Sequence, residues 1–531
     1  MKTLNLQVPN IPEEEMTETN KLLLQQLSLC IEIINKQAEE IQLLKDEIAR
    51  LKGNPPKPKI RSSKLEDPSE KKSTTGTNKR KSGSRKRRKN VKIDKTITVR
   101  VPNPPKGSKT KDYKNYTVQN ISVKTENILY RLERIELPNG NYMTATLPES
   151  IKGHFGIELQ QYVIYMNYEL NISQSKIKNT LNMIGIDISD GEINNILIKD
   201  KDIFHEEKEA ILETGLKESD YIVTDDTGAR HNGKNGYSNH IGNHLFAYFS
   251  SSNSKSRINF LKILRGKHSD YILNEDSINY IQKQKVSEKL RNRLCNIKLG
   301  KYKDKSAWDD FIKKVGVSTE KQIKILTEAA LIGSIIDHGF NTNLVIVSDE
   351  AGQFDVFLHS LCWIHAERKI NRIIPINDLE AEIIKTLEGD IWEFYQKLKE
   401  YKKNPDEKQA DKLSIEFDDI INKRSDFENV NKALDNLYSI KKYLLLVLKR
   451  PEIPLNNNIS ENDIRIYVTK RKVLGGTRSH DGRKSRDTFL SLTKTCKKLG
   501  ISFMDYLQDR ISTQNNIPSL STIIQGKIVC R

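Results

Sequence analysis

Two short apolar runs in this chain end in aspartate. Tyr221-Ile222-Val223-Thr224 leads into Asp225 and Asp226, and Leu344-Val345-Ile346-Val347-Ser348 leads into Asp349. β-Branched runs of this kind read as buried strands, and two such strands side by side would deliver their carboxylates to one place. A third carboxylate, Glu461, follows Pro454-Leu455-Asn456-Asn457-Asn458-Ile459-Ser460 and opens a helical pattern through Ile464, Tyr467 and Val468. Three carboxylates drawn to one point repel one another, so the arrangement makes sense only around cations. Hard oxygen donors with room for water suit Mg²⁺ or Mn²⁺. Two such ions, about 4 Å apart, stabilise the attacking and leaving oxygens of an in-line phosphoryl displacement. The expected catalytic groups, and the expected ligands of two Mg²⁺ (or Mn²⁺) ions, are therefore Asp225, Asp349 and Glu461.

The elements around these residues are legible from composition. With 531 residues the chain exceeds a single core and predicts several domains. A formal net charge of +18 points to a polyanionic partner, most commonly nucleic acid. A spanning helix needs roughly 20 apolar residues and no run approaches that, so no membrane association is expected. The N-terminus turns acidic at Glu13, Glu14 and Glu15, unlike a signal peptide. The cysteines Cys30, Cys295, Cys362, Cys496 and Cys530 are scattered and odd in number, which fits a reducing cytoplasm.

Leu27, Ile34, Ile41 and Ile48 repeat every seven residues, with Leu44 and Leu51 on a second seam. This predicts a coiled coil joining two or more copies; one amphipathic helix on its own domain is the alternative. The segment that follows is rich in Lys, Ser, Pro and Gly and cannot bury enough surface to fold alone. Its cluster Lys79, Arg80, Lys81, Arg85, Lys86, Arg87, Arg88 and Lys89 reads as a phosphate-binding arm or as a solvated linker. Alternation at Ile97, Val99 and Val101, and again from Ile128 to Leu137 ahead of Pro138-Asn139-Gly140, predicts strands. Helical patterns follow from Gly156, one near Ser173 and one at Ser189 with the capping-box spacing to Glu192. They fit a helix-turn-helix reader of DNA or an ordinary helical subdomain.

The motifs in the second half resemble the insertion-sequence-sixty-six family of bacterial DDE transposases. The resemblance is carried by Asp225-Asp226-Thr227, by Asp349-Glu350-Ala351-Gly352-Gln353-Phe354 with Cys362-Trp363-Ile364-His365-Ala366-Glu367-Arg368-Lys369, and by Asn456-Asn457-Asn458-Ile459-Ser460-Glu461-Asn462 with Arg471-Lys472-Val473-Leu474-Gly475-Gly476. Ser491 to Cys496 and Tyr506-Leu507 look like the family's closing helix. The resemblance covers most of the chain. It departs from the family at Asp226, where the family has Glu, at Asn456 for Asp and at Asn462 for Arg. No cysteine lies between Lys92 and Ser150, so the family's zinc segment is not carried over and no zinc is expected.

The resemblance implies an α/β, ribonuclease-H-like catalytic core with helical insertions, following an N-terminal coiled coil and basic linker. The expected divisions are a dimerisation helix at 1–53, a basic linker at 54–95, a β-rich then helical DNA-binding region at 96–215, the first part of the core at 216–350, a helical insertion at 351–450, and the third-carboxylate and C-terminal helices at 451–531. It implies metal-dependent cleavage and strand transfer on double-stranded DNA, the element's terminal repeats and the target. The expected partners also include further copies of the chain and helper proteins, in a bacterial, nucleoid-associated setting. Cys362, Trp363 and His365 are expected as scaffold beside the site, with base stacking by Trp363 as the alternative. Lys470, Arg471 and Lys472 would bind a phosphate or form a solvated helix face. A faint echo of the second-carboxylate block, Leu273-Asn274-Glu275-Asp276, ranks below Asp349. Two other functions fit the same residues: a nuclease of this fold that never joins strands, and a non-catalytic dimeric DNA-binding protein descended from a transposase.

Overall fold

The computed structural model describes residues 93–529 apart from 122, 149, 150, 152 and 376. The heptad segment and the basic cluster at 79–89 lie outside the described residues. From 93 to 133 the described residues form no helix or strand, and Ile97, Val99 and Val101 are exposed. The expected strand there is not present: alternation alone does not make one without a neighbour for its backbone groups. The turn at Pro138-Asn139-Gly140 does close a hairpin, β1 (Arg134–Glu136) with β2 (Tyr142–Thr144). Gly140 takes the left-handed φ of 81° that this turn requires.

Four helices follow: α1 (Ile157–Tyr168), α2 (Gln174–Met183), α3 (Asp190–Ile198) and α4 (Asp202–Glu218). The Ser189 hydroxyl caps α3, accepting from Glu192 N at 3.1 Å. The first turn of α3 carries Asp190 and Glu192, and the nearest lysine, Lys178 of α2, is paired with Asp190 at 2.9 Å. A recognition helix presents donors and positive charge to DNA; this acidic helix end does not.

The central sheet has five strands in the order β5-β4-β3-β8-β9. They are β3 (Tyr221–Gly228), β4 (Tyr237–Gly242), β5 (Ala247–Ser252), β8 (Val345–Ser348) and β9 (Leu358–Leu361). β3, β4 and β5 are antiparallel neighbours; β8 and β9 add to β3 in parallel. Between β5 and β8 lie α5 (Arg257–Leu264), β6 (Tyr271–Leu273), α6 (Glu275–Gln282), α7 (Glu288–Cys295), β7 (Gly300–Tyr302), α8 (Lys305–Val315) and α9 (Glu320–Asp337). β6 pairs with β7 in a sheet of its own, and Asn274 caps α6 so that Glu275 and Asp276 sit in its first turn. That places the faint echo outside the sheet that carries Asp225 and next to which Asp349 lies.

Side chains of the central strands alternate between two cores. Ile222 and Ile346 face a core shared with α1, α4, α9 and the C-terminal helices α16 (His480–Leu499), α17 (Phe503–Ile511) and α18 (Leu520–Val529). Val223, Val345 and Val347 face the other, built with α10 (Trp363–Asn371), α11 (Asp378–Tyr401), α12 (Glu407–Ile421), α13 (Glu428–Ser439) and α14 (Lys441–Leu444). Helix α15 (Asn458–Leu474) carries Glu461 in its first turn. The edge strand β5 is closed by α16: Asp487, Ser491 and Thr495 accept from Ser251 N, Phe249 N and Ala247 N at 2.7, 2.8 and 3.2 Å. Covering an edge this way removes a site of unwanted strand pairing. Among the described residues no helix is long and apolar enough to cross a membrane.

Trp363 anchors the second core. It is 2% exposed, its indole N–H donates to Leu444 O at 3.0 Å, and it packs against Phe394 and Phe417 at ring distances of 5.5 and 5.8 Å. This is core packing, and the base-stacking alternative is corrected: a ring so enclosed cannot meet a nucleobase. Trp363→Ala is expected to lower unfolding stability by about 3–5 kcal/mol through the cavity left behind. A urea titration followed by circular dichroism measures it, and a loss under about 1 kcal/mol contradicts the anchoring role.

Candidate active site

The parallel register of β3 and β8 pairs Tyr221 with Val345 and Val223 with Val347. Continued for two residues, the same register sets Asp225 beside Asp349. Asp349 emerges at the C-terminal edge of β8, and Asp225 lies beside it within β3, which runs on to Gly228 in its pairing with β4. Asp225 Oδ1 accepts from Asp226 N at 2.7 Å, and Asp349 Oδ1 accepts from Ala351 N at 3.0 Å.

Glu461 is brought to this edge by the segment before it. Asn457 is fully buried at the start of α15; its Nδ2 donates to Thr224 O at 2.9 Å, one residue before Asp225. Its backbone N–H lies on Cys362 Sγ at 3.3 Å, while Cys362 N donates to Ser348 O at 2.9 Å, one residue before Asp349. Trp363 N donates to Leu455 O at 2.9 Å. The Cys-Trp block therefore ties the end of β8 to the loop that starts the third-carboxylate helix. Burial pushes the Cys362 thiol up to about 11, so it stays protonated. His365, one turn along α10, places Nε2 3.9 Å from Glu461 Oε1. Burial and then the Arg368 charge lower its pKa, which keeps the imidazole neutral at pH 7.

A second tie comes from β4. His240 lies directly opposite Asp225 in the ladder. Its ring is fully buried, with Nδ1 2.7 Å from Ser460 Oγ and Nε2 3.0 Å from Asp463 Oδ2. One imidazole thus grips both flanks of Glu461. Asp463 also pairs with Lys498 and, at 3.3 Å, with Lys494 of α16. Burial opposes its ionisation, yet His240 and Lys498 hold its carboxyl well below the usual carboxylate range.

The three carboxylates share one electrostatic field. Burial, and then the charges of Asp349, Asp226 and Glu461, push the Asp225 carboxyl up to about 7, against the hydrogen bond from Asp226 N. Among the described residues no group of three or more His, Cys, Asp or Glu side chains is arranged as a ready metal cage. The donor set nevertheless fits hard divalent cations in its chemistry: three half-buried carboxylates, oxygen donors only, and a surplus of negative charge that a cation would relieve.

Residues 344–485 match the family model described as Transposase IS66 family. The match begins in the strand run before Asp349 and takes in the Cys-Trp block, Glu461 and the start of α16. A curated relative from Sinorhizobium fredii (strain NBRC 101917 / NGR234), "Uncharacterized protein y4jO", is 39% identical over 320 residues, which is 60% of this chain and 100% of the relative. The chain belongs to the IS66 transposase family.

In this transposase the run Lys470, Arg471 and Lys472 does not act as one unit. Helix α15 turns Ile464, Tyr467 and Lys470 inward, at the three-residue spacing of one helix face. Lys470 is 1% exposed; its ammonium bonds Asn167 and sits 4.5 Å from the Tyr168 ring centre. Burial lowers its pKa far below the ordinary value. Lys470 is therefore withdrawn from the phosphate-binding set. The Arg471 guanidinium bonds Gly228 O at the end of β3, and Lys472 is exposed. His240 and Asp463 carry no signal in the sequence, because nothing in a lone histidine on a strand marks its partner 220 residues away. Asp226 is likewise supported from afar, held by the Lys255 ammonium and by Gln353 Nε2 at 2.8 Å. Gln353 lies in the Asp349–Phe354 motif, and that position is the one signal of this support in the sequence.

Proposed function

We propose that this transposase binds the ends of a bacterial insertion sequence and cleaves and joins DNA strands with Asp225, Asp349 and Glu461 on a ribonuclease-H-like core. The observation that supports this reading is the β3–β8 register, in which Asp225 falls opposite Asp349 when the pairing is continued by two residues. Three carboxylates of this kind would hold two Mg²⁺ or Mn²⁺ ions. Bound there, the ions would supply Lewis acidity at the attacking and leaving oxygens of a phosphoryl transfer. The chain's own contribution is placement. Asn457 and His240 hold Glu461 against the sheet, the Cys362 block holds the loop after β8, and Lys255 with Gln353 engages Asp226 so that its carboxylate does not compete with Asp225. In the same reading the 1–53 segment joins copies of the chain, the 54–95 linker adds phosphate contacts, and the protein works on DNA in the bacterial cytoplasm.

The test is incubation of purified protein with a duplex carrying the element's terminal repeat, with Mg²⁺ or Mn²⁺ and with EDTA. Metal-dependent nicking at the 3′ end followed by strand joining is expected. Nicking without joining would identify a nuclease, and binding without any cleavage would identify a DNA-binding descendant.

A further inference from the structure

The Gly475-Gly476 motif has no part in the carboxylate site, yet it shapes a neighbouring surface. Gly475 adopts φ of 74°, and a Cβ on Gly476 would lie 2.5 Å from Arg230 O. Only glycine lets this loop press onto the turn between β3 and β4. Pressed there, the two segments zip together. Thr477 N donates to Arg230 O at 3.1 Å and Asn232 N donates to Thr477 O at 2.7 Å, while His231 Nδ1 lies 2.8 Å from Thr477 Oγ1. Arg486 Nη1 holds Gly475 O at 2.9 Å from behind.

The lip so formed is basic and faces solvent. Arg230, Lys234, Arg478 and Lys484 are exposed and Arg483 is half-buried. Slight burial and then the charges of Arg483 and His480 lower the His231 pKa, so those groups lie close to it. Between Gly475 and Lys484 the one acidic residue is Asp481, which stands 3.4 Å from His480 Nδ1. Arg483 Nη1 also bonds Asn253 Oδ1 at 3.0 Å, and with Ser252, Asn253, Ser254 and Lys262 it lines an open groove. Hydroxyl, amide and guanidinium groups are those that contact DNA phosphates and sugars. Through Arg471 on Gly228 O, the lip adjoins the strand that carries Asp225.

We propose that the zipped lip of Arg230, Arg478 and Arg483, with the groove beside it, is the track that holds the phosphate backbone of duplex DNA flanking the cut. This rests on the DNA reading above and adds where the duplex lies. Each lost phosphate contact lowers the slope of log K against log salt by about 0.9.

The test is fluorescence anisotropy of the full chain with a 40-base-pair duplex of arbitrary sequence, titrated with KCl in Ca²⁺ buffer. The Arg230→Gln/Arg478→Gln/Arg483→Gln protein is expected to lose about 2.7 from the slope and to bind at least about tenfold more weakly at 0.1 M KCl. The control Lys385→Gln/Lys408→Gln/Lys412→Gln removes the same charge from the helices beyond β9 and should keep the wild-type slope. Gly476→Ala keeps every charge but forces the loop off Arg230, and should weaken binding several-fold without changing Mn²⁺ affinity. The proposal is overturned if the arginine variant keeps the wild-type slope, or if the control loses as much. Absence of salt-dependent binding by the wild-type chain would instead remove the DNA reading itself.

Discussion

Alanine at Asp225, Asp349 or Glu461 is expected to lower metal-dependent strand cleavage by about 1,000-fold or more, about 4 kcal/mol of transition-state stabilisation, while the protein remains folded. The effect is large because each side chain would hold cations at the reacting phosphate, and the remaining two carboxylates cannot rebuild that geometry. Stability should move the other way. Burial and its three acidic neighbours disfavour the charged form of Asp225, so Asp225→Asn relieves repulsion and should unfold at an equal or higher temperature. Catalysis lost with stability kept or gained is the signature of a functional charge cluster. A variant that unfolds readily, or one that cleaves at the wild-type rate, contradicts the assignment.

Asp463→Ala is expected to cost about 3–5 kcal/mol of folding stability. Its carboxylate is the shared partner of His240, Lys498 and Lys494, and its side chain is 5% exposed. Removal leaves Lys498 charged and largely buried without that partner, a penalty far above that of a surface ion pair. The same change frees one flank of Glu461, so cleavage should fall even at temperatures where the variant is folded. Differential scanning calorimetry and a cleavage assay at 20 °C separate the two effects. A melting temperature within about 2 °C of wild type would rule out the buried network as a stabilising element.

The carboxylates themselves were readable from the chain because their signal is local. An apolar β-branched run with an aspartate at its end needs no knowledge of the fold, and the Pro454 to Glu461 block with its helical continuation is equally contiguous. Membership of the family was legible for the same reason, since its blocks are short and ordered along the chain. Pairing of distant segments was not. That β3 and β8 are parallel neighbours in a register that aligns Asp225 with Asp349, that Asn457 reaches Thr224, and that His240 grips Ser460 and Asp463 all follow from contacts across more than a hundred residues. Burial was also decided by the fold. Lys470 and Lys472 are the same residue type two positions apart, yet the turn of α15 buries one ammonium on Asn167 and leaves the other in water. The alternation at Ile97, Val99 and Val101 shows the converse: a pattern suited to a strand stays irregular and exposed when the tertiary structure offers it no partner. Residue types in sequence set which chemistry was available; packing, which alone brings remote side chains within hydrogen-bond range and removes others from solvent, decided which of them the site can use.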